Sequence, residues 1–158
     1  MTQPSTERLR HLCEVVEREV QHLQLTDRHL FAEPFTASRA EGLNTNHNEA
    51  ERVDAFVARF GRLQDTTGDK LLPALLGLLG NEPGPVIDNL NLIAKWGWLE
   101  QPEHWLEARW LRNRMIHEYI RDPALLSEAL NEAHLRVPLL VQTAQRLTAE
   151  AQRRIQDA

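Results

Sequence analysis

Eight consecutive residues, RNRMIHEY from Arg112 to Tyr119, bring together two arginines, an asparagine, a histidine and the chain's single tyrosine. A histidine that titrates near neutrality can take or give a proton, and a guanidinium near it can hold a phosphate and stabilise the charge that builds up during transfer. The pairing suits metal-free RNA cleavage, with His117 as general base on a 2′-hydroxyl or as general acid at the leaving oxygen, and Arg112 on the phosphate. Asn113, one turn before His117, could orient the imidazole or the phosphate. At about 100° per residue, Asn113 and His117 share one helix face, while Arg109, Arg112 and Tyr119 gather on a second. Arg112 and His117 stand about 140° apart around the axis. They meet through the long arginine side chain or across a second copy of the helix, which favours a cleft at a dimer axis. A solvated helix with a capping histidine and a core tyrosine is the competing reading, and R-x4-H alone does not decide against it.

The elements that must carry this string are helical. Leu9, Leu12, Cys13, Val16, Val20 and Leu23 repeat at helical spacing and predict a first helix over about residues 5–24. TDRHLFAEPFTASRAEGLN then mixes cap residues with Pro34 and Gly42, and reads as short helical turns and loop rather than a regular element. Val53, Phe56, Val57, Phe60 and Leu63 open a long helix, expected to kink near Pro73 and to close at Gly80. GNEPGP is the strongest turn signal. VIDNLNLIAK follows it as a short helix with Gly97 just past its end. A fourth helix carries HWLEARWLRNRMIHEYI and stops before Pro123; a fifth keeps Leu126 through Leu147 on one stripe, with a bend expected at Pro138. The fold class is therefore all-α, an up-and-down bundle of about five helices in a single domain over residues 1–158.

Composition narrows the setting. Hydrophobic residues make up 42% and charged residues 26%, near globular averages. LLPALLGLL, the longest apolar run, falls far short of the roughly 20 residues of a membrane span, and the first ten residues hold no signal core, so the expectation is a cytoplasmic protein without a membrane partner. A net charge of -5 opposes binding of nucleic acid over the whole surface and leaves one local patch as the route. The single cysteine, Cys13, has no disulfide partner in the chain and is expected in the core.

As a whole string, RNRMIHEY resembles the R-N-x-[apolar]2-H-x-Y signature of HEPN domains, specifically that of the HepT-like toxins. FGRLQDTTGDKLLPALL is similar to the long helix preceding the motif in that family, and DNLNLIAKWGWL to the next, so the likeness spans roughly residues 50–120. It implies a HEPN-like homodimer in which the R-x4-H motifs face each other, acting as a metal-independent endoribonuclease on tRNA or mRNA. Position by position, it implies Arg112 and His117 as the catalytic pair, Asn113 as the polar residue beside the arginine, and Tyr119 as acceptor of AMP from a cognate minimal nucleotidyltransferase antitoxin. Adding that bulky anion beside an RNA-phosphate site would oppose substrate by charge and by volume. The chain lacks a GS dipeptide followed by D-x-D, so it is not itself the nucleotidyltransferase. A second reading keeps the fold and the partner but makes the chain a non-catalytic HEPN module that presents a surface to the nucleotidyltransferase. A purely structural helical bundle is a third.

Other residues are weighed on chemistry alone. Arg109, Arg114 and Trp110 are candidates for RNA contact, and Trp98 and Trp110 are the tryptophans to test for base stacking, whereas the remaining tryptophans suit core packing. Asp65 and Asp69 lie one turn apart and could hold a cation, but pairing across helices, as of Asp65 with an arginine of the fourth helix, is the better account. No metal and no cofactor are expected. His11, His104 and His134 show no ligand spacing and read as surface or capping groups.

Overall fold

The computed structural model describes residues 4–157, with the side chains of Pro4, Glu118, Tyr119 and Ile120 outside the description. Its elements are α1 (Pro4–Leu30), α2 (Ala37–Glu41), α3 (His47–Gln64), a π turn (Asp65–Leu71), α4 (Leu72–Leu78), α5 (Val86–Lys95), α6 (Pro102–Arg121) and α7 (Pro123–Asp157), with no strand among the described residues. The protein is all-α.

Four rods form the bundle, and cross-helix bonds set their directions. Glu19 meets Thr66, and Arg59 reaches the carbonyl of His22, so α3 with its π turn runs against α1. Arg114 faces Glu128 and Glu132 whereas Arg136 faces Glu107, so α7 runs against α6. Gln152 meets Glu17, and His134 meets Asp27, closing α7 back on α1. The order is up, down, up, down, with α5 packed against α4 and α6. The inward stripes of all four rods merge in one core that includes Phe56, Phe60, Leu71, Trp105, Met115 and Leu140. Cys13 is part of it, and burial together with Glu17 and Glu14 pushes its thiol up to about 11.

Two helices differ from expectation and one stretch agrees with it. The first helix continues to Leu30 rather than stopping near residue 24, because Leu23, Thr26 and Leu30 extend the buried stripe and Asp27 is bonded to His134 of α7. The stretch expected as short helical turns and loop holds such turns, α2, capped by Thr36, whose hydroxyl accepts from the Arg39 amide at 3.2 Å, and a 3-10 turn over Gly42–Asn44. The long middle helix is irregular at Asp65–Leu71, upstream of Pro73, where the Leu72 amide reaches back five residues to the Thr67 carbonyl. A wider turn there moves the backbone away from the proline ring, which would otherwise crowd the carbonyl four residues before it.

The other signals match the structure. Gly80 and Gly97 adopt φ of 84° and 79°, the left-handed geometry that ends a helix on glycine. Asn89 fixes the GNEPGP turn by accepting from the Gly84 amide at 2.9 Å and donating to the Gly84 carbonyl at 3.1 Å. Asp122 separates α6 from α7 and caps the latter, its carboxylate accepting from Ala124 and Leu125 ahead of a proline at the first helical position. α7 continues through Pro138 without a break in the element.

Candidate active site on α6

One face of α6 is fixed by the core: Trp105, Ala108, Leu111 and Met115 are buried. The remaining residues of the motif point in three directions. Arg109 and Arg112 turn toward the π turn, Arg114 turns toward α7, and Trp110, Asn113 and His117 face outward.

Arg112 is held twice. One terminal amine donates to both carboxylate oxygens of Asp65, each at 2.8 Å. Its side chain also crosses Gly61 so closely that a Cβ built there would lie 2.5 Å from Nε and 2.8 Å from Cδ. Gly61 therefore acts as a cradle in α3, and Asp65 as the clamp one turn further along. Arg109 repeats the arrangement one turn earlier in α6, donating to Asp69 at 2.6 Å. Both acids weighed as cation ligands thus form a two-rung ladder with arginines. Each rung is more than a quarter exposed, so its value lies in aiming guanidinium groups rather than in stability. Because Asp65 takes one amine of Arg112, the rest of the fork is left for a second anion, which suits a phosphate.

His117 stands on the outer face one turn beyond Asn113, and a terminal amine of Arg121 donates to its Nε2 at 3.0 Å. A guanidinium has only donors, so Nε2 is the acceptor and the ring proton sits on Nδ1. Arg121 thus occupies the Nε2 lone pair, and His117 becomes available as a general base when that bond is exchanged for one to a substrate hydroxyl. Within one chain the structure does not bring Arg112 and His117 together, since one is bound to the π turn and the other to Arg121. Ile116, 55% exposed, occupies the helix surface between their two directions.

Arg114 is not part of the Arg109–Arg112 face. It lies 3.5 Å from Glu128 and 3.4 Å from Glu132, and its guanidinium stands 5.4 Å from the ring centre of Trp110. Trp110 is 60% exposed, whereas Trp105 is fully buried and packs its indole edge on Gly68 of the π turn. The Tyr119 side chain, the candidate modification site, lies outside the described residues. His134 is a packed group rather than a loose surface one: it stacks on Phe31 at 4.2 Å and bonds to Asp27 at 2.7 Å. Among the described residues no group of three or more His, Cys, Asp or Glu side chains is placed to hold a metal.

Under the arginine ladder runs a buried polar seam that hydrophobic periodicity does not announce. Among the described residues, Glu19 Oε2, Gln64 Oε1, Thr67 Oγ1 and Trp105 Nε1 have no hydrogen-bond partner. Gln64 does donate to the Ala108 carbonyl at 3.0 Å, and Thr66 donates to the other Glu19 oxygen at 3.0 Å. Burial raises the Glu19 carboxyl above its ordinary value, opposed by the Thr66 bond and by Arg62 and Lys70, with Asp65 adding to the rise. The folded chain therefore holds this proton more tightly than the unfolded chain, and the stability contribution falls as pH climbs from the ordinary carboxylate range through the raised value. Glu19→Gln is accordingly expected to melt higher than the parent at pH 7, with the difference closing below pH 4. Parallel thermal melts at the two pH values test this, and a variant less stable than the parent at pH 7 contradicts it.

Gly61 and Arg121 are the residues of this site that the sequence reading did not single out. Arg121 had a visible signal, since it sits four residues after His117. Gly61 had none, because only the crossing of two helices makes a missing Cβ matter. Comparisons with protein-family models, with curated proteins and with solved structures returned no match, so the site stands on its own chemistry.

Proposed function

We propose that the chain is a HEPN-type, HepT-like endoribonuclease that cleaves RNA without a metal, using Arg112 to hold the scissile phosphate and His117 to move the proton, in a homodimer regulated by a nucleotidyltransferase that modifies Tyr119. The observation that carries this reading is the preparation of Arg112: cradled by Gly61, clamped by Asp65 through one amine, and left with donors for a phosphate. A merely solvated arginine requires neither a glycine beneath it nor a carboxylate across a helix pair. Support for the dimer comes from the outward face of α6, where Trp110 and Ile116 are exposed beside Asn113 and His117. Pairing that face with its copy offers a route for His117 of one protomer to reach a phosphate held at Arg112 of the other. In the cleavage itself, His117 Nε2 exchanges its bond to Arg121 for one to the 2′-hydroxyl and accepts that proton, and the hydroxyl oxygen attacks the adjacent phosphorus. The bond to the 5′-oxygen breaks and water supplies that oxygen's proton while the His117 imidazolium releases its own to solvent, leaving a 2′,3′-cyclic phosphate and a 5′-hydroxyl.

Incubating the purified chain with mixed tRNA and mRNA in EDTA tests the reading. Cleavage that persists in EDTA, leaves a cyclic phosphate and disappears in His117→Ala is the expected outcome, from a species that sediments as a dimer. Absence of cleavage by a chain whose intact mass shows an unmodified Tyr119 moves the reading to the non-catalytic HEPN module that serves the nucleotidyltransferase as a surface.

A further inference from the structure

A second basic and aromatic site lies between the α5–α6 turn and α7. Gly97, with its φ of 79°, reverses the chain so that the Trp98 amide bonds to the Ile93 carbonyl at 2.9 Å, and the indole comes to rest against α7. A cleft of about 460 Å³ opens there, with Trp98, Glu100, Gln142, Thr143 and Arg146 in its lining. Arg154 and Arg146 stand 5.5 Å and 6.0 Å from the Trp98 ring centre. Trp96 meets Trp98 edge-on at 5.0 Å and remains 36% exposed.

The arginines are an organised set. Glu150, only 3% exposed, accepts from Arg146 and Arg153, each at 3.2 Å, and from Arg154. Three guanidinium groups on one carboxylate leave two positive charges uncompensated, and Glu100 in the lining offsets one of them. This surplus occurs in a chain whose net charge is -5. Because a buried carboxylate already orders the guanidinium groups, an incoming anion bears less of the entropy of arranging them. We infer that this cleft binds one nucleotide unit of single-stranded RNA, its phosphate against Arg146 and Arg154, its base against the Trp98 indole with Trp96 beside it at the rim, and Gln142 and Thr143 within the lining to meet the base edge. An acidic peptide would use the cations but has no need of a half-buried indole with a second, exposed one beside it next to amide and hydroxyl groups, whereas a nucleotide uses all three. The inference rests on the RNA reading above and extends it. At a rise of 1.5 Å per residue, α6 separates this cleft from His117 by about 22 Å, a span that a short stretch of extended strand covers.

The chemistry on the page is that of a nucleoside monophosphate, free or within a chain, so the test has an arm for each. A fluorescein-labelled 2′-O-methyl octanucleotide, which lacks the hydroxyl that cleavage consumes, is titrated into the parent chain, Arg146→Gln, Trp96→Ala and the double variant, with AMP as competitor. Arg146→Gln leaves Glu150 paired with Arg153 and Arg154, so the fold is retained, and circular dichroism checks it. The double variant is expected to bind at least tenfold more weakly, and the slope of log affinity against log salt is expected to fall by about one with Arg146→Gln. AMP at least tenfold weaker than the octanucleotide supports occupancy by the chain. AMP of equal affinity overturns the RNA assignment and makes the occupant a free mononucleotide. Curves for the double variant that superpose on the parent's overturn the site, as does a parent that does not bind. The two proposals fail separately. Octanucleotide binding that the variants weaken, without cleavage of natural RNA, preserves the cleft and refutes the nuclease. His117-dependent cleavage with unchanged binding by the double variant does the reverse.

Discussion

Gly61→Ala is expected to lower RNA cleavage by about 100-fold while leaving the chain folded, since a shift near 1 Å at an aligned catalytic group has an effect of that order. The added Cβ would stand 2.5 Å from Arg112 Nε, closer than real carbons approach, so one of the two groups must move. The guanidinium is the far end of a flexible side chain on the bundle surface, whereas Gly61 lies on the backbone of α3, so the arginine gives way. Stability gains about 0.5–1 kcal/mol from alanine's better helix propensity, which offsets the disturbance. Single-turnover cleavage rates in EDTA, together with a thermal melt, separate the two effects. A folded Gly61→Ala chain that cleaves at the parent rate would show that the placement of Arg112 is irrelevant to the chemistry. Asp65→Asn sharpens the comparison: it keeps the shape of the clamp and removes its charge, and it is expected to fall between the parent and Gly61→Ala.

Trp105→Ala is expected to destabilise the fold by about 3–5 kcal/mol, the range for emptying a large aromatic from a close-packed interior. Trp105 is fully buried, and its indole lies against Gly68 at the middle of the π turn. That loss takes much of the roughly 5–15 kcal/mol available to a domain of this kind. Trp105→Phe is expected to be milder. It retains most of the apolar volume and removes an indole N–H that has no partner among the described residues, and burying such a group opposes folding. Urea unfolding reads both through the midpoint at constant slope. A Trp105→Ala midpoint that implies less than about 1 kcal/mol would mean that the aromatic does not fill the α6–π-turn junction.

Local periodicity was sufficient to read the rods, because each bundle helix hides one stripe and repeats it every three to four residues. Glycine ends such as Gly80 and Gly97 were legible for the same local reason: each needs a backbone geometry that other residues resist. The continuation of α1 to Leu30 was harder to see, since Pro34 and Gly42 make the whole TDRHLF region resemble a loop until Asp27 finds His134 more than a hundred residues away. The π turn was illegible in principle from periodicity, which assumes a constant angle per residue. Of the site, the reactive types and the Asp65 partner could be read from the chain. Which way each arginine turns could not, because α6 is covered on two sides and its neighbours sort Arg112 to the π turn and Arg114 to α7.

The π turn also makes the fold and the site separable. A turn of this kind accommodates a residue beyond the α-helical count, so deleting Thr67 would let the segment relax to ordinary α geometry while α3 and α4 keep the sides they now present. The same deletion in the middle of α3 would rotate everything beyond it by about 100° and turn its apolar side out of the bundle. What a Thr67 deletion changes is the spacing from Asp65 to Asp69, which sets the second acid opposite Arg109 while the first stays opposite Arg112. The bundle can therefore lose the outer rung of its arginine ladder through a single codon without losing its architecture, which leaves the placement of Arg112 to α3 alone.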